Sequence, residues 1–177
     1  MKYDLAITKK LLMMLLVILP ILCWSQKIRS ETDKFTKMVR NETDNITIYG
    51  AYMAFIPNRI EVNLRSVDTA CFIMLYGYNT AAGVIGSGDD LIFLLEDGKT
   101  VTVKSTGIQD YTIDGSVKVY HHQYYINRNS IELFSKGKVK SMRIYYNQIY
   151  KDIDIKDKNA DSFTHLCSLF YNVVAKK

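Results

Sequence analysis

The sequence contains few of the residues, and none of the motifs, that build common reactive centres. Its 177 residues include three histidines and three cysteines, without a Cys-x-x-Cys or His-Glu-x-x-His spacing. A zinc site needs three or four ligands, so this set excludes the recognised zinc motifs. Neither a P-loop nor a Gly-x-Ser-x-Gly nucleophile elbow occurs. We therefore expect no catalytic residue, no metal and no cofactor, and we favour a non-catalytic protein.

Tryptophan, proline and clustered basic residues are also scarce. Trp24 is the only tryptophan, and Pro57 is the only proline after residue 25. The formal net charge is +5, but three lysines and one aspartate lie in the first 25 residues, which leaves 20 basic and 17 acidic residues. No Lys/Arg cluster of the kind that grips phosphate backbones occurs among them. A nucleic-acid partner is therefore not expected.

The first 25 residues have the three regions of a signal peptide. Three lysines precede an apolar run from Leu11 to Leu22, and Cys23 and Ser25 suit positions −3 and −1 of a cleavage site. Twelve apolar residues are short of the roughly 20 that span a bilayer. A lipoprotein modified at Cys23 and an uncleaved anchor are the alternatives. We predict cleavage after Ser25, a secreted or periplasmic protein that meets the membrane only through this transient segment, and one domain over residues 26–177.

The rest of the chain is dominated by short runs rich in Val, Ile, Tyr, Phe and Thr between turn residues, which is typical of strands. The predicted strands are Lys34–Arg40, Ile46–Phe55, Arg59–Leu64, Ala70–Tyr78, Leu91–Leu95, Thr100–Lys104, Val117–Ile126, Val139–Tyr146 and Ile149–Ile155.

Two helices are predicted, one after the seventh of these strands and one after the ninth. A short one begins near Asn129 or Ser130 and ends at Gly137, a typical residue after a helix. A longer one begins near Asp157, where an apolar stripe recurs at helical spacing. The stripe consists of Phe163, Leu166, Cys167, Phe170 and Val174. These elements predict an α+β fold, in which a mainly antiparallel sheet, curved or folded into a sandwich, packs against the C-terminal helix.

The clearest local signal is the hairpin "LIFLLEDGKTVTV". Asp97-Gly98 is a favoured two-residue turn because glycine accepts positive φ. Such a turn pairs Glu96 with Lys99 and sets Leu94 opposite Val101, so we expect one wholly aliphatic face.

Cys71 and Cys167 remain after the predicted cleavage. Cys167 lies on the apolar helix stripe and Cys71 in an apolar strand, so the two could meet. A disulfide in an exported protein and a pair of buried free thiols are both compatible with these positions.

Two of the three histidines are adjacent in "VKVYHHQYYI". Side chains alternate between the faces of a strand, so His121 and His122 should point in opposite directions and cannot share one metal ion. We expect structural or surface roles for both imidazoles.

The chain has 13 tyrosines, and this surplus is the strongest indication of function. Tyrosine buries a large ring and keeps a polar tip, which suits a contact surface. Ordinary preference of tyrosine for strands is the alternative explanation. The candidate binding residues are Tyr120, His122, Tyr124, Tyr145 and Tyr150.

The stretches "TDKFT", "LIFLLEDGKTVTV", "NSIELFSKGKVKSMRIYY" and "DIDIKDKNADSFTHL" follow an exported leader. In this order they resemble uncharacterised small exported β-rich proteins of Bacteroidetes-type bacteria, over roughly residues 32–170. The shared motifs are structural, so the resemblance implies a fold and an envelope location but no catalytic residue.

Three functions are compatible with these observations. The first is a non-catalytic exported module that binds an envelope protein or a surface polymer such as a glycan through its tyrosines. The second is a small hydrolase that uses His121 or His122 with a nearby carboxylate, and the third is a structural subunit of an envelope assembly.

Overall fold

The structure is a computed structural model that describes residues 26–53, 56–79, 86, 88–146 and 149–175. The predicted leader, including Cys23 and the cleavage site after Ser25, lies outside these residues and stays a prediction. Neither of the two described helices is long and apolar enough to cross a membrane.

The fold is α+β, as predicted, with ten strands and two helices in the described chain. The strands are β1 (Ile28–Thr32), β2 (Val39–Thr43), β3 (Ile46–Met53), β4 (Ile56–Val67), β5 (Ala70–Tyr78), β6 (Asp90–Leu95), β7 (Thr100–Asp114), β8 (Val117–Tyr125), β9 (Val139–Tyr146) and β10 (Ile149–Asp154). The helices are α1 (Arg128–Lys136) and α2 (Asp157–Val174).

All ten strands belong to one open, antiparallel sheet rather than to a sandwich or a barrel. Their order is β1-β2-β4-β5-β8-β7-β6-β9-β10, with β3 paired beside β4. Helix α2 contacts both β4 and β9, which lie five positions apart in this order. In a flat sheet these strands would be separated by about 24 Å, and an 18-residue helix is about 27 Å long. Helix α2 therefore lies across several strands of the sheet.

One hydrophobic core fills the space between the sheet and the helices. Phe93 of the sheet stacks against Phe163 of α2, and both rings contact Phe134 of α1. The predicted apolar stripe of α2 is buried at every position, from Phe163 to Val174. Burying one such large side chain stabilises the fold by about 1.5–3 kcal/mol, so α2 is a principal part of the core.

Local chemistry explains where α1 begins and ends. The side chain of Asn127 accepts a hydrogen bond of 2.8 Å from the backbone N–H of Ser130, which caps the first turn. The backbone N–H of Gly137 donates to Leu133, and the chain leaves the helix there. The predicted end at Gly137 is confirmed, and the helix begins one residue before the predicted start.

The predicted register of the β6–β7 hairpin is wrong by one residue. Gly98 adopts φ +84°, and the N–H of Leu95 donates to the carbonyl of Lys99 at 2.8 Å, so three residues form the loop. Phe93 therefore lies opposite Val101, and Leu94 lies opposite Thr100. A one-residue slip exchanges the faces of a strand, and Leu94 points away from the core. Lys99 pairs with Asp97 instead of Glu96.

Several strand bounds also differ from the prediction: β1 was not predicted, and β4 extends three residues beyond each end of the predicted Arg59–Leu64. The segment from Lys34 begins as a turn, because the carboxylate of Asp33 accepts hydrogen bonds from the N–H groups of Phe35 and Thr36. Strand β7 continues ten residues beyond Lys104, through a bulge after Ser105. The sequence Ser105-Thr106-Gly107 is typical of a turn; it forms the bulge, where Gly107 adopts φ +78°, and pairing with β8 resumes at Gln109.

Candidate binding surface

The sheet has two chemically different faces. One face packs on the helices and carries the aliphatic core. We call the other the helix-free face; it contains the outward side chains of β4 to β10. Its aromatic members are Phe72, Tyr76, Tyr78, Tyr125, Tyr145 and Tyr150.

Three of the predicted binding residues, Tyr120, His122 and Tyr124, lie on the face opposite to this surface. His122 is 3% exposed and Tyr124 is fully buried in the core. Tyr120 shares their face, is half-buried and packs against Tyr111 at 6.3 Å. Alternation along β8 assigns these three residues to one face, but it could not tell which face the helices cover. His122 and Tyr124 are therefore not part of an accessible contact surface.

Burial determines the chemistry of His122. No described residue hydrogen bonds to either of its ring nitrogens. Burial lowers its pKa to about 4, and the charge of His121 acts in the same direction. The imidazole is therefore neutral near pH 7 and has no described carboxylate to orient it, which is unsuitable for the general base of a hydrolase.

His121 lies on the helix-free face, so the two histidines diverge as predicted. Its ring contacts the edge of Tyr76 at 5.0 Å between centroids. On the neighbouring strand it lies opposite Asp110. The described residues contain no group of three or more His, Cys, Asp or Glu side chains placed to hold a metal ion.

Tyr145 and Tyr150 do come together, on the helix-free face of β9 and β10. They are direct cross-strand partners with ring centroids 5.8 Å apart. The guanidinium of Arg143 stacks on Tyr150 at 4.0 Å and binds Asp152 through two hydrogen bonds of 2.6 and 2.7 Å. Arg143 in turn lowers the pKa of Asp152, chiefly through these hydrogen bonds. The result is a patch of stacked and hydrogen-bonded side chains in which Tyr150 remains 56% exposed.

A second patch of the same construction lies on β4 and β5. Arg59 stacks on Tyr78 at 4.1 Å and binds Glu61 at 2.8 Å. The hydroxyl of Tyr78 also donates to Glu61 at 3.1 Å. Burial and the Glu61 carboxylate raise the pKa of Tyr78. In both patches, a tyrosine ring thus lies under an arginine that binds a carboxylate.

A buried asparagine anchors this second patch to the sheet edge. The amide of Asn63 is 2% exposed and donates towards Glu42, Asn45 and the hydroxyl of Tyr76, at 3.2, 2.9 and 3.4 Å. Glu42 also binds Arg65 at 2.8 Å. Two glutamates and two arginines alternate here, so their charges cancel.

Sequence reasoning missed this second patch. The stretch "RIEVNLR" alternates polar and apolar residues without interruption, which is typical of a strand with one solvated face. It indicated a polar face on β4. The partners of that face come from β2 and β5, however, and their positions depend on the strand order.

Between the patches, exposed side chains continue across the helix-free face. Tyr125 of β8 is 51% exposed and meets the ring of Phe72 edge-on at 6.2 Å. Beyond it, Lys104 forms an ion pair with Asp90. Aromatic rings therefore reach from β5 to β10, with charged side chains between them.

Both described cysteines are buried in the core as free thiols. Burial raises the pKa of Cys167 well above its ordinary value. A thiol in this state is a small apolar side chain rather than a nucleophile.

The chain matches no protein-family model, no curated protein and no solved structure.

Proposed function

We propose that this protein is a non-catalytic, exported recognition module that binds an envelope protein or a surface polymer through its helix-free face. The observation that carries the proposal is the construction of that face. Tyr78 and Tyr150 each stack against an arginine whose guanidinium binds a carboxylate. Rigid aromatic side chains lose little conformational entropy on binding, which is why they dominate many interfaces.

The proposed contact surface contains only some of the binding residues that the sequence indicated. Tyr145 and Tyr150 remain contact residues, and Tyr125 joins them between the patches. His122 and Tyr124 act in the core instead. The signal-peptide pattern and the resemblance to exported Bacteroidetes-type proteins support an envelope location.

A sedimentation assay with isolated bacterial envelopes tests the proposal. Tyr125→Ala and Tyr150→Ala should each weaken co-sedimentation by roughly tenfold or more, as expected for an aromatic anchor. Tyr111→Ala is the matched control, because Tyr111 is 61% exposed and belongs to the opposite face. Equal binding by all three variants and the wild type would contradict the proposal.

Treating the envelopes with a protease distinguishes the two partner classes. Loss of binding after digestion identifies a protein partner, and retained binding identifies a polymer. Either result is compatible with recognition through the helix-free face, and the tyrosine variants decide whether that face is used.

A further inference from the structure

Strand β1 has one edge that no described residue pairs with. It lies at the end of the strand order and pairs with β2 on its other side. Four of its five residues are exposed. An unpaired edge presents N–H and C=O groups that can pair with another strand.

The hydrogen bonds at the two ends of β1 show which backbone groups face this edge. The carbonyl of Lys27 accepts from the N–H of Asp44 at 3.2 Å, and the N–H of Asp33 donates to Met38 at 2.9 Å. Odd-numbered residues therefore turn their backbone groups towards β2. Because the direction alternates along a strand, Ile28, Ser30 and Thr32 turn theirs outward.

These outward groups are self-complementary. A two-fold axis through Ser30, perpendicular to the sheet, sets Ser30 opposite Ser30 of a second copy and Ile28 opposite its Thr32. All three pairs are of the hydrogen-bonded type, which exchanges two bonds each, so about six backbone hydrogen bonds can form.

The charged side chains fit the same arrangement. Arg29 falls opposite Glu31 of the second copy, in a pair without backbone hydrogen bonds, where side chains lie closest. Within one copy, Arg29 already lies opposite Glu42, and Glu31 opposite Arg40. Charge therefore alternates in sign along the row that crosses β2 and β1 of one copy and then β1 and β2 of the other.

The charges also select this register among its neighbours. Sliding one copy by two residues sets Arg29 opposite Arg29 in one direction and Glu31 opposite Glu31 in the other. Like charges directly opposite each other are destabilising. Only the register centred on Ser30 pairs every charge of β1 with its opposite.

We infer that β1 is a homodimerisation edge whose partner is the β1 of a second copy. The axis perpendicular to the sheet keeps both helix-free faces on the same side. The dimer therefore presents two copies of that face in the same direction. The inference does not depend on the proposed function. Pairing five residues buries less area than a standard interface, so the dimer is weak and concentration-dependent.

Sedimentation equilibrium over a concentration series tests the inference, on protein recovered after export with its N-terminus established by intact mass. Arg29→Glu and Glu31→Arg each create two repulsive pairs, and each should raise the dissociation constant roughly tenfold or more. Mixing the two variants restores opposite charges in every pair, so a heterodimer should form. Lys99→Glu, an exposed charge reversal at the β6–β7 turn, should leave dimerisation unchanged.

Three results would overturn the inference. They are a wild type that stays monomeric throughout the series, single variants that dimerise as the wild type does, and a mixture that fails to associate. Thermal denaturation of each variant, followed by circular dichroism, verifies that the exposed substitutions leave the fold intact.

Discussion

His122 and Tyr124 direct their polar atoms into the same buried layer from alternate positions of β8, and no described residue hydrogen bonds to either side chain. Buried polar groups in proteins are nearly always hydrogen-bonded, because an unmade bond costs about 1–3 kcal/mol. These two residues are therefore places where polar groups weaken the core.

Removing the Tyr124 hydroxyl should not destabilise the protein. Tyr124→Phe keeps the ring and deletes a group whose burial raises its pKa strongly and which has no described partner. We expect the free energy of unfolding, measured in urea, to stay equal or rise by up to about 1 kcal/mol. Tyr146→Phe, at a tyrosine that is 8% exposed, is the comparison variant. A loss of 1–2 kcal/mol in Tyr124→Phe would reveal an ordered water bound to the hydroxyl.

His122 should make stability depend on pH. Its pKa is about 4 in the folded protein against about 6.5 in an unfolded chain. The unfolded state thus binds the proton more readily, so this contribution to stability is complete above pH 6.5 and is lost as the pH falls towards 4. The loss is on the order of 3 kcal/mol.

The measurement is the free energy of unfolding of wild type, His122→Gln and His121→Gln across this pH range. Other groups titrate in all three proteins and change the free energy of unfolding with pH in the same way. Their contribution therefore cancels when each variant is subtracted from the wild type. His122→Gln should lose the extra acid sensitivity, whereas His121→Gln should keep most of it. Parallel curves for wild type and His122→Gln would contradict the buried neutral imidazole.

Asn63 should be the most sensitive polar residue of the second patch. Asn63→Leu removes the buried amide that donates to Asn45 and Glu42 and leaves their oxygens partly desolvated. We expect a loss of about 2–3 kcal/mol in urea unfolding. Asn45→Ala, at an exposed position, should cost less than about 1 kcal/mol. Equal losses would show that burial of the amide is unimportant.

Gly98 should tolerate asparagine better than alanine. It adopts φ +84°, and a Cβ atom built there meets nothing within 4 Å, so only backbone strain opposes substitution. Gly98→Ala should lower the free energy of unfolding by about 1 kcal/mol. Asparagine adopts positive φ more readily, so Gly98→Asn should cost less. The reverse order would contradict the positive φ of Gly98.

Local patterns predicted much of the secondary structure. β5 and β9 have the predicted bounds, because Val, Ile, Tyr and Phe fill them between clear turns. The stripe from Phe163 to Val174 forms the buried side of α2, because 3.6-residue periodicity depends on the helix alone. Alternation also separated His121 from His122.

The remaining features depend on contacts between distant segments. Whether Tyr124 or Tyr125 is buried depends on which face of β8 the helices cover. The ion pair of Glu42 with Arg65 exists because β2 pairs with β4, and no local pattern specifies that neighbour. The register of the β6–β7 hairpin was predicted from the turn at Gly98. The positive φ of this glycine suits a three-residue loop as well as a two-residue one, so the turn alone did not determine the register.

The last helix of the described chain completes the core. Until α2 has emerged from whatever machinery makes or moves the polypeptide, Phe93 can pack against Phe134 of α1 but not against Phe163. Much of the pairing also joins segments far apart in sequence, such as β5 with β8 and β6 with β9, which slows folding. A shortened chain that lacks residues 157–174 should therefore remain unfolded and be degraded by proteases, whereas the chain that contains α2 acquires resistance once this helix has packed.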